Sequence, residues 1–258
     1  MDKIYYDSKT GYIGFNKFYL KVKSKFPEIN LVRYSQNCGA SSSKNTGISM
    51  ATGNWITFLD SDCLWLAEKL ENQKEFIEKF PFYRILQSHE QKHQGWIFEK
   101  GLEISSLTLS GLAIEKSLFD EIGNFDESMP ACEEYELALR ISSRFPVGLD
   151  SKFAIEKFVG EDEEDGSQEF LVKEICRVYA LLKFYVSTRD MKLKPHVKEM
   201  AIKKLKTLCD WAKKRDLSDT LYNFEQILDA IVNETHWKLL IGIEFLVHMM
   251  KLDINKTA

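Results

Sequence analysis

Two aspartates one residue apart, Asp60-Ser61-Asp62, follow the apolar run Trp55-Ile56-Thr57-Phe58-Leu59. Carboxylates in that spacing on a turn can hold one hard cation at about 2.1 Å and leave coordination sites for phosphate oxygens and water. The same residues also suit a solvated turn in which Asp60 caps the following helix. Upstream, Lys44 can add positive charge to such a site or sit as an exposed helix lysine, and Asn37 and Asn45 are residue types that cap and turn the backbone well. His89 and His93, spaced i and i+4, can share a metal if helical, but no third ligand accompanies them and two exposed histidines is the simpler reading.

The elements that must carry these residues fall into three zones. Between Leu31 and Gly160, short apolar runs alternate with helical periods, which predicts α/β layering. Leu31–Tyr34 reads as a strand, Ser43–Ala51 as a short helix stopped by Gly53, and Trp55–Leu59 as a buried strand ending at Asp60. An open α/β sheet places its ligands at such carboxyl ends. Leu107–Ile114 reads as a further strand, Lys116–Ile122 as a helix ended by Gly123, and Glu133–Ser143 as an amphipathic helix. After the acidic run Glu161-Asp162-Glu163-Glu164-Asp165 everything reads as helical: Phe170–Val186, a helix with Pro195 in its first turn, a helix through Leu221, Phe224, Leu228 and Ile231, and Trp237–Met250. No fixed-period repeat is present, which argues against a solenoid.

Composition narrows the function classes. The 258 residues carry a formal net charge of −4, so no chain-wide basic field for nucleic acid exists. A hydrophobic share of 44% against 29% charged, with 17 Phe and 10 Tyr, supports a packed core rather than disorder. The five cysteines are dispersed, odd in number and without a Cys-x-x-Cys pair, which fits a reduced, cytoplasmic compartment. The first residues do not read as a signal peptide, and Trp237–Leu252 is too short and too charged to span a membrane. Residues 192–215 hold nine Lys/Arg against two acidic residues, a local excess that can touch anionic lipid or another protein, or form the solvated face of a packed helix.

The order Asn37-Cys38-Gly39, Lys44-Asn45-Thr46-Gly47, Ala51-Thr52-Gly53-Asn54-Trp55 and Phe58-Leu59-Asp60-Ser61-Asp62 resembles the nucleotide-sugar half of family-two glycosyltransferases. A second block, Ser110-Gly111-Leu112, Ile122-Gly123-Asn124-Phe125-Asp126-Glu127 and Cys132-Glu133-Glu134-Tyr135, resembles their acceptor half. The resemblance implies an α/β, Rossmann-like GT-A fold with a C-terminal all-helical extension. It implies transfer of a sugar with inversion, of hexosyltransferase type, from a nucleoside-diphosphate sugar to a glycan, lipid or protein acceptor, with Mg²⁺ or Mn²⁺. It further implies Asp60 and Asp62 as metal ligands, and Asn37, Gly39, Lys44, Asn45 and Asp60 on the nucleotide-sugar side. Gly111 and Glu133 fall on the acceptor side, and Glu134 stands where the family has its catalytic base.

Three departures accompany the resemblance. The base position carries Glu where the family has Asp, and one extra methylene moves the carboxylate by more than an ångström unless the backbone compensates. Val159-Gly160-Glu161 stands where many relatives have Gly-Gly-His. The family's opening strand and base-cradling loop have no counterpart ahead of Met1, so the fold is expected to be N-terminally incomplete: either Ile4–Ser8 is the family's second strand, followed by a helix from Phe15 to Lys25, or residues 4–30 are foreign. The expected organisation is a segment 1–30 of uncertain origin, a core 31–160 and a helical extension 161–258. Two functions stand side by side: a cytoplasmic, peripherally membrane-associated glycosyltransferase, and a noncatalytic relative serving as a nucleotide-binding or protein-interaction module.

Overall fold

The computed structural model describes residues 4–5, 24–32, 34, 36–60, 62–88, 93–105, 107–152, 154–157 and 168–257. Strand β1 (Ile4–Tyr5) pairs in parallel with β2 (Asn30–Leu31). Helix α1 (Gly39–Met50) leads to β3 (Trp55–Thr57), β4 (Cys63–Trp65), α2 (Lys69–Lys79), β5 (Ile85–Ser88), β6 (Leu112–Glu115), α3 (Leu118–Ile122), α4 (Glu133–Ser142), β7 (Gly148–Asp150) and β8 (Ile155–Lys157). Four long helices follow: α5 (Gln168–Ser187), α6 (Lys194–Lys214), α7 (Ser218–Val232) and α8 (His236–Thr257).

The central sheet has the order β3-β6-β5-β7. β6 is antiparallel to both β3 and β5, whereas β5 and β7 are parallel. Hence β3, β5 and β7 run one way and end at one edge, where Thr57, Ser88 and Asp150 lie, while β6 begins at that same edge. The antiparallel strand therefore delivers Ser110 and Gly111 to the carboxyl ends of its neighbours. Strands β4 and β8 form a small antiparallel pair. All four residues of β5 are buried, as an interior strand covered on both faces requires.

One apolar cluster joins the sheet to its helices through residues such as Ile56, Ile85, Leu112, Ile114, Leu118 and Ile141. A second fills the four-helix bundle and extends to Phe98, Met129, Tyr135 and Leu139. Helix α5 belongs to both worlds: it packs on α6 and α8 and also on α4.

Several boundaries differ from those read in the sequence. The strand predicted over Leu107–Ile114 is a tight turn at Leu109–Gly111 followed by β6, because the Gly111 N–H bonds back to Thr108. Helix α1 begins at Gly39 rather than Ser43, since Asn37 Oδ1 accepts the Gly39 N–H and Gly39 adopts φ +80°, which only glycine takes without strain. β3 stops at Thr57 because the Asp60 N–H is taken by a side chain instead of a ladder carbonyl. β2 is two residues long; the β1–β2 pairing agrees with a strand at the start of the 4–8 segment. The helix predicted over Phe15–Lys25, apart from Ser24 and Lys25, the acidic run 161–165 and Val159-Gly160-Glu161 lie outside the described residues.

All five cysteines are free thiols. Among the described residues no helix is long and apolar enough to cross a membrane. Of the nine cations in the basic stretch 192–215, four pair with acids from the surroundings: Lys198 with Glu234, Lys203 with Glu103, Lys204 with Glu174 and Lys213 with Glu225.

Gly111 is buried where the backbone of β6 enters the sheet. A Cβ there would lie 2.6 Å from the Ser88 carbonyl oxygen and 2.9 Å from Ile155 Cδ1, and would also collide with the Gln87 side chain. Gly111→Ala should cost about 1–3 kcal/mol by overpacking, read as a lowered midpoint in urea. Gly53→Ala, whose Cβ would meet only the Trp55 carbonyl at 3.6 Å, should stay within about 0.5 kcal/mol of the parent.

Candidate active site

The Asp60–Asp62 turn sits at the carboxyl edge of the sheet and is held from behind. The Asp60 N–H donates to Ser110 Oγ at 2.9 Å, and the Ser110 hydroxyl donates to Asp60 Oδ2 at 2.9 Å. Ser110 is fixed in turn by the Trp65 indole N–H, which donates to its carbonyl at 2.8 Å. Asp60 does not cap a helix; the chain continues into β4, and α2 starts only at Lys69. One oxygen of each aspartate and the Cys63 sulfur lie within 4.8 Å of one another. That donor set fits a divalent cation, with two hard oxygens and one soft sulfur. Burial holds the Cys63 thiol above its usual range, and its S–H donates to Asp62 Oδ1 at 3.4 Å.

Lys44, on α1, joins this turn to the second half of the site. Its ammonium lies 4.0 Å from Asp60 Oδ1 and pairs closely with Glu133 at the first turn of α4. The lysine is therefore no exposed helix residue: its side chain is 19% accessible and its Nζ sits 5.6 Å from the Phe125 ring centroid. Glu134 follows Glu133. Burial first, then the neighbouring Glu133 charge, holds its carboxyl above the ordinary glutamate range, and Asp60 acts in the same direction while Lys44 opposes. A carboxyl with a raised pKa is a better proton acceptor than an exposed one.

Helix α4 is aimed by an unusual start. Cys132, the residue before Glu133, has φ 56°, a left-handed conformation that a non-glycine residue holds only where its surroundings insist. The Tyr135 and Glu136 N–H groups both turn back to the Cys132 carbonyl, and the Tyr135 hydroxyl donates to the Leu102 carbonyl. Burial pushes the Cys132 thiol up to about 12, so it packs and does not react.

The turn Gly123–Ser128 is clamped on both sides. From α1, Asn45 Nδ2 donates to the Phe125 carbonyl at 3.0 Å and to Glu127 at 2.8 Å, while the Phe125 N–H donates to Asn45 Oδ1 at 2.9 Å. From α5, Lys183 bridges Asp126 at 2.8 Å and Glu136 at 2.9 Å, and the Tyr179 hydroxyl donates to Asp126 at 2.9 Å. Burial raises the Asp126 pKa, but the bonds from Lys183 and Ser128 prevail and bring it to about 2. Arg140 pairs with Glu136 and covers the carbonyls of Ile122, Gly123 and Asn124.

Of the residues read from the sequence, the fold brings Lys44, Asp60, Asp62, Glu133 and Glu134 to one place. Asn45 bonds to Phe125 and Glu127 and so clamps the two halves together. Asn37 and Gly39 form the exposed turn that starts α1. Gly111 is buried and leaves no room for a Cβ. His93 is exposed, 3.2 Å from Lys100, while His89 lies outside the described residues. Sequence reasoning missed Cys63, Trp65 and Ser110; only Ser110 carried a signal, beside Gly111 in the acceptor-half block. A separate cleft of about 530 Å³ lined by Arg140, Arg144, Phe184 and Arg189 contains none of the candidate residues.

A mixed sheet with an Asp-x-Asp turn at its carboxyl edge and an acidic pair heading the facing helix defines the GT-A class of glycosyltransferase fold. Residues 14–122 match the glycosyl transferase family 2 model, so this stretch of the chain is similar to that family. An "Uncharacterized glycosyltransferase" of Haemophilus influenzae is 27% identical over 132 residues, covering 45% of each chain. A "Putative teichuronic acid biosynthesis glycosyltransferase TuaG" of Bacillus subtilis is 41% identical over 49 residues, 19% of each chain. The chain thus spans less than half the length of these curated relatives. Among solved structures, S. aureus TarS 1-349 in complex with UDP superposes with a TM-score of 0.52 at 12% identity, covering 91% of this chain and 78% of that one. The mannosyltransferase PcManGT from Pyrobaculum calidifontis, in complex with GDP-Man and Mn2+, gives 0.51 at 13% identity, covering 95% and 76%. At those identities the likeness establishes the fold.

Between the ordinary glutamate value of about 4.3 and the raised native value of Glu134, the folded protein keeps a proton that the unfolded chain has lost. Stability therefore falls as pH rises through that window. Glu134→Gln should melt higher than the parent at neutral pH, and the difference should shrink below about pH 4, measured by thermal unfolding across the range.

Proposed function

We propose that the chain is a metal-assisted, inverting glycosyltransferase that moves a hexose from a nucleoside-diphosphate sugar to an acceptor hydroxyl. One observation carries the reading: Lys44 reaches both Asp60 and Glu133, which brings the Asp-x-Asp turn and the head of α4 to a single lysine. Asp60 and Asp62 would hold Mg²⁺ or Mn²⁺ through their carboxylate oxygens. When bound, that cation neutralises charge on the diphosphate leaving group. Lys44 supplies a second positive charge beside it. Asp60 Oδ2 is occupied by Ser110, so Oδ1 is the oxygen offered to the cleft.

Glu134 is the base. As the acceptor oxygen forms its bond to the anomeric carbon and the bond to the diphosphate breaks, the hydroxyl proton passes to the Glu134 carboxylate and the nucleoside diphosphate departs. Glu133, neutralised by Lys44, leaves Glu134 as the carboxylate of the pair free to take a proton. The complexes of the structural neighbours, UDP for one and GDP-Man with Mn2+ for the other, support the donor class and the use of a divalent ion. This reading includes a cytoplasmic location, which five free thiols support. We take residues 31–160 as the transferase core and 161–258 as its helical extension.

UDP or GDP should bind by calorimetry only when Mn²⁺ is present, and Asp62→Ala should lose about 10-fold or more in affinity; metal-independent binding or an unchanged Asp62→Ala would reject the metal bridge. Glu134→Gln should abolish transfer with donor affinity nearly unchanged, since a base acts in the transition state. Nucleotide binding with no turnover against any sugar donor would instead make the chain a noncatalytic nucleotide-binding module.

A further inference from the structure

Lys69 is buried to 1% accessibility at the start of α2. Taking an ammonium out of water costs several kcal/mol unless its surroundings compensate. The compensation here is uncharged at close range. Lys69 Nζ donates to Gln73 Oε1 at 3.0 Å and to Thr57 Oγ1 at 3.3 Å, and it stands 4.2 Å from the centroid of the Trp65 ring. Burial brings the ammonium down to about 7, opposed by Asp150 at the end of β7. A methionine would fill this volume without that cost, so the charge is kept for what it holds.

What it holds leads to Asp60 by two routes. Thr57 is the last residue of β3, three before Asp60. Trp65, with a cation over its face, gives up electron density and becomes a stronger N–H donor. That N–H fixes the Ser110 carbonyl, and the Ser110 hydroxyl fixes both the backbone and Oδ2 of Asp60. Gln73, oriented by Lys69, adds bonds to the Gly111 carbonyl at 3.0 Å and to Ser88 at 3.1 Å, so the residue after Ser110 is held as well.

We propose that Lys69 is a positioning residue for the cation-binding turn: through Trp65 and Ser110 it locks Asp60 Oδ2 and leaves Oδ1 facing the cleft. The assignment rests on the glycosyltransferase reading for what the turn binds, but not for how the turn is held. Lys69 touches neither donor nor acceptor and acts only through the residues between.

The test combines amide hydrogen exchange at Asp60, Mn²⁺ affinity by electron paramagnetic resonance, and the unfolding midpoint as a control, in Lys69→Met, Trp65→Phe and the double variant. Trp65→Phe keeps an aromatic face for the ammonium and removes only the N–H. Each single variant should speed Asp60 exchange and weaken Mn²⁺ binding by about 10-fold, and the double variant should be no worse than the weaker single, because both cut one chain. Parent Mn²⁺ affinity should also decline from pH 6 to 8, as Lys69 loses its charge, while Lys69→Met stays flat. The groups facing Lys69 are Thr57 of β3, Trp65 of β4 and Gln73 of α2, which carry no titratable charge in that range, and the Asp150 carboxylate of β7. Parent-like exchange and affinity in Lys69→Met, or strictly additive losses, would overturn the proposal. If Lys69→Met does not fold, parent-like Asp60 protection in Trp65→Phe overturns it alone. Loosened exchange in both variants of a parent that binds no Mn²⁺ would uphold the positioning and remove the metal-dependent function.

Discussion

Four carboxylates, Asp60, Asp62, Glu133 and Glu134, face one region, and their mutual repulsion has to be balanced before the two halves of the fold can close on each other. Lys44 supplies that balance. Its ammonium pairs with Glu133 and approaches Asp60, so α1, the Asp-x-Asp turn and α4 are tied at one point. The same cation sorts the acidic pair at the head of α4. Glu133 is neutralised by contact, whereas Glu134 is left with burial and a like charge next door, which together raise its proton affinity. Two adjacent glutamates of one helix turn thus acquire different chemistry from a single lysine.

That arrangement is only as good as the aim of α4, and the helical extension contributes to it. Lys183 and Tyr179 of α5 grip Asp126, and Lys183 also reaches Glu136 one turn along α4. On the opposite side Asn45 closes α1 onto Phe125 and Glu127. The turn 123–128 is therefore a plate fixed between the nucleotide-side helix and the C-terminal bundle. The bundle's apolar core runs without interruption into the surface beneath α4 through Tyr135 and Leu139, so the extension is part of the framework that holds the site.

Behind the Asp-x-Asp turn the structure spends a buried ammonium, a glutamine, a serine hydroxyl and an indole N–H on holding one aspartate. The antiparallel course of β6 makes this possible, because it starts at the edge where β3 ends and so sets Ser110 against Asp60. Gly111 is the steric condition for it: the strand enters so close to Ser88 and Gln87 that no side chain fits.

The sequence alone determined what depends on near neighbours. Helical periodicity marked α4 to α8, an apolar run before Asp60 marked β3, and an acidic pair ahead of an amphipathic stretch marked the head of α4, since these patterns repeat over one or two turns of chain. The first motif block was legible as a resemblance, and the family 2 match over residues 14–122 agrees with it. Only the tertiary structure decided the contacts that give the residues their roles. Lys44 meets Glu133 across 89 positions, Asn45 meets Phe125 across 80, and Ser110 meets Asp60 across 50. For Asn45 and Gly111, motif position shows that the residue matters without showing its contacts, which are the clamp on Phe125 and Glu127 and the close approach to Ser88 and Gln87. Lys69 escaped notice for the complementary reason. A lysine at the start of a polar helix reads as solvent-facing, and its burial follows from where β3, β4 and β7 converge around it, which no local pattern encodes.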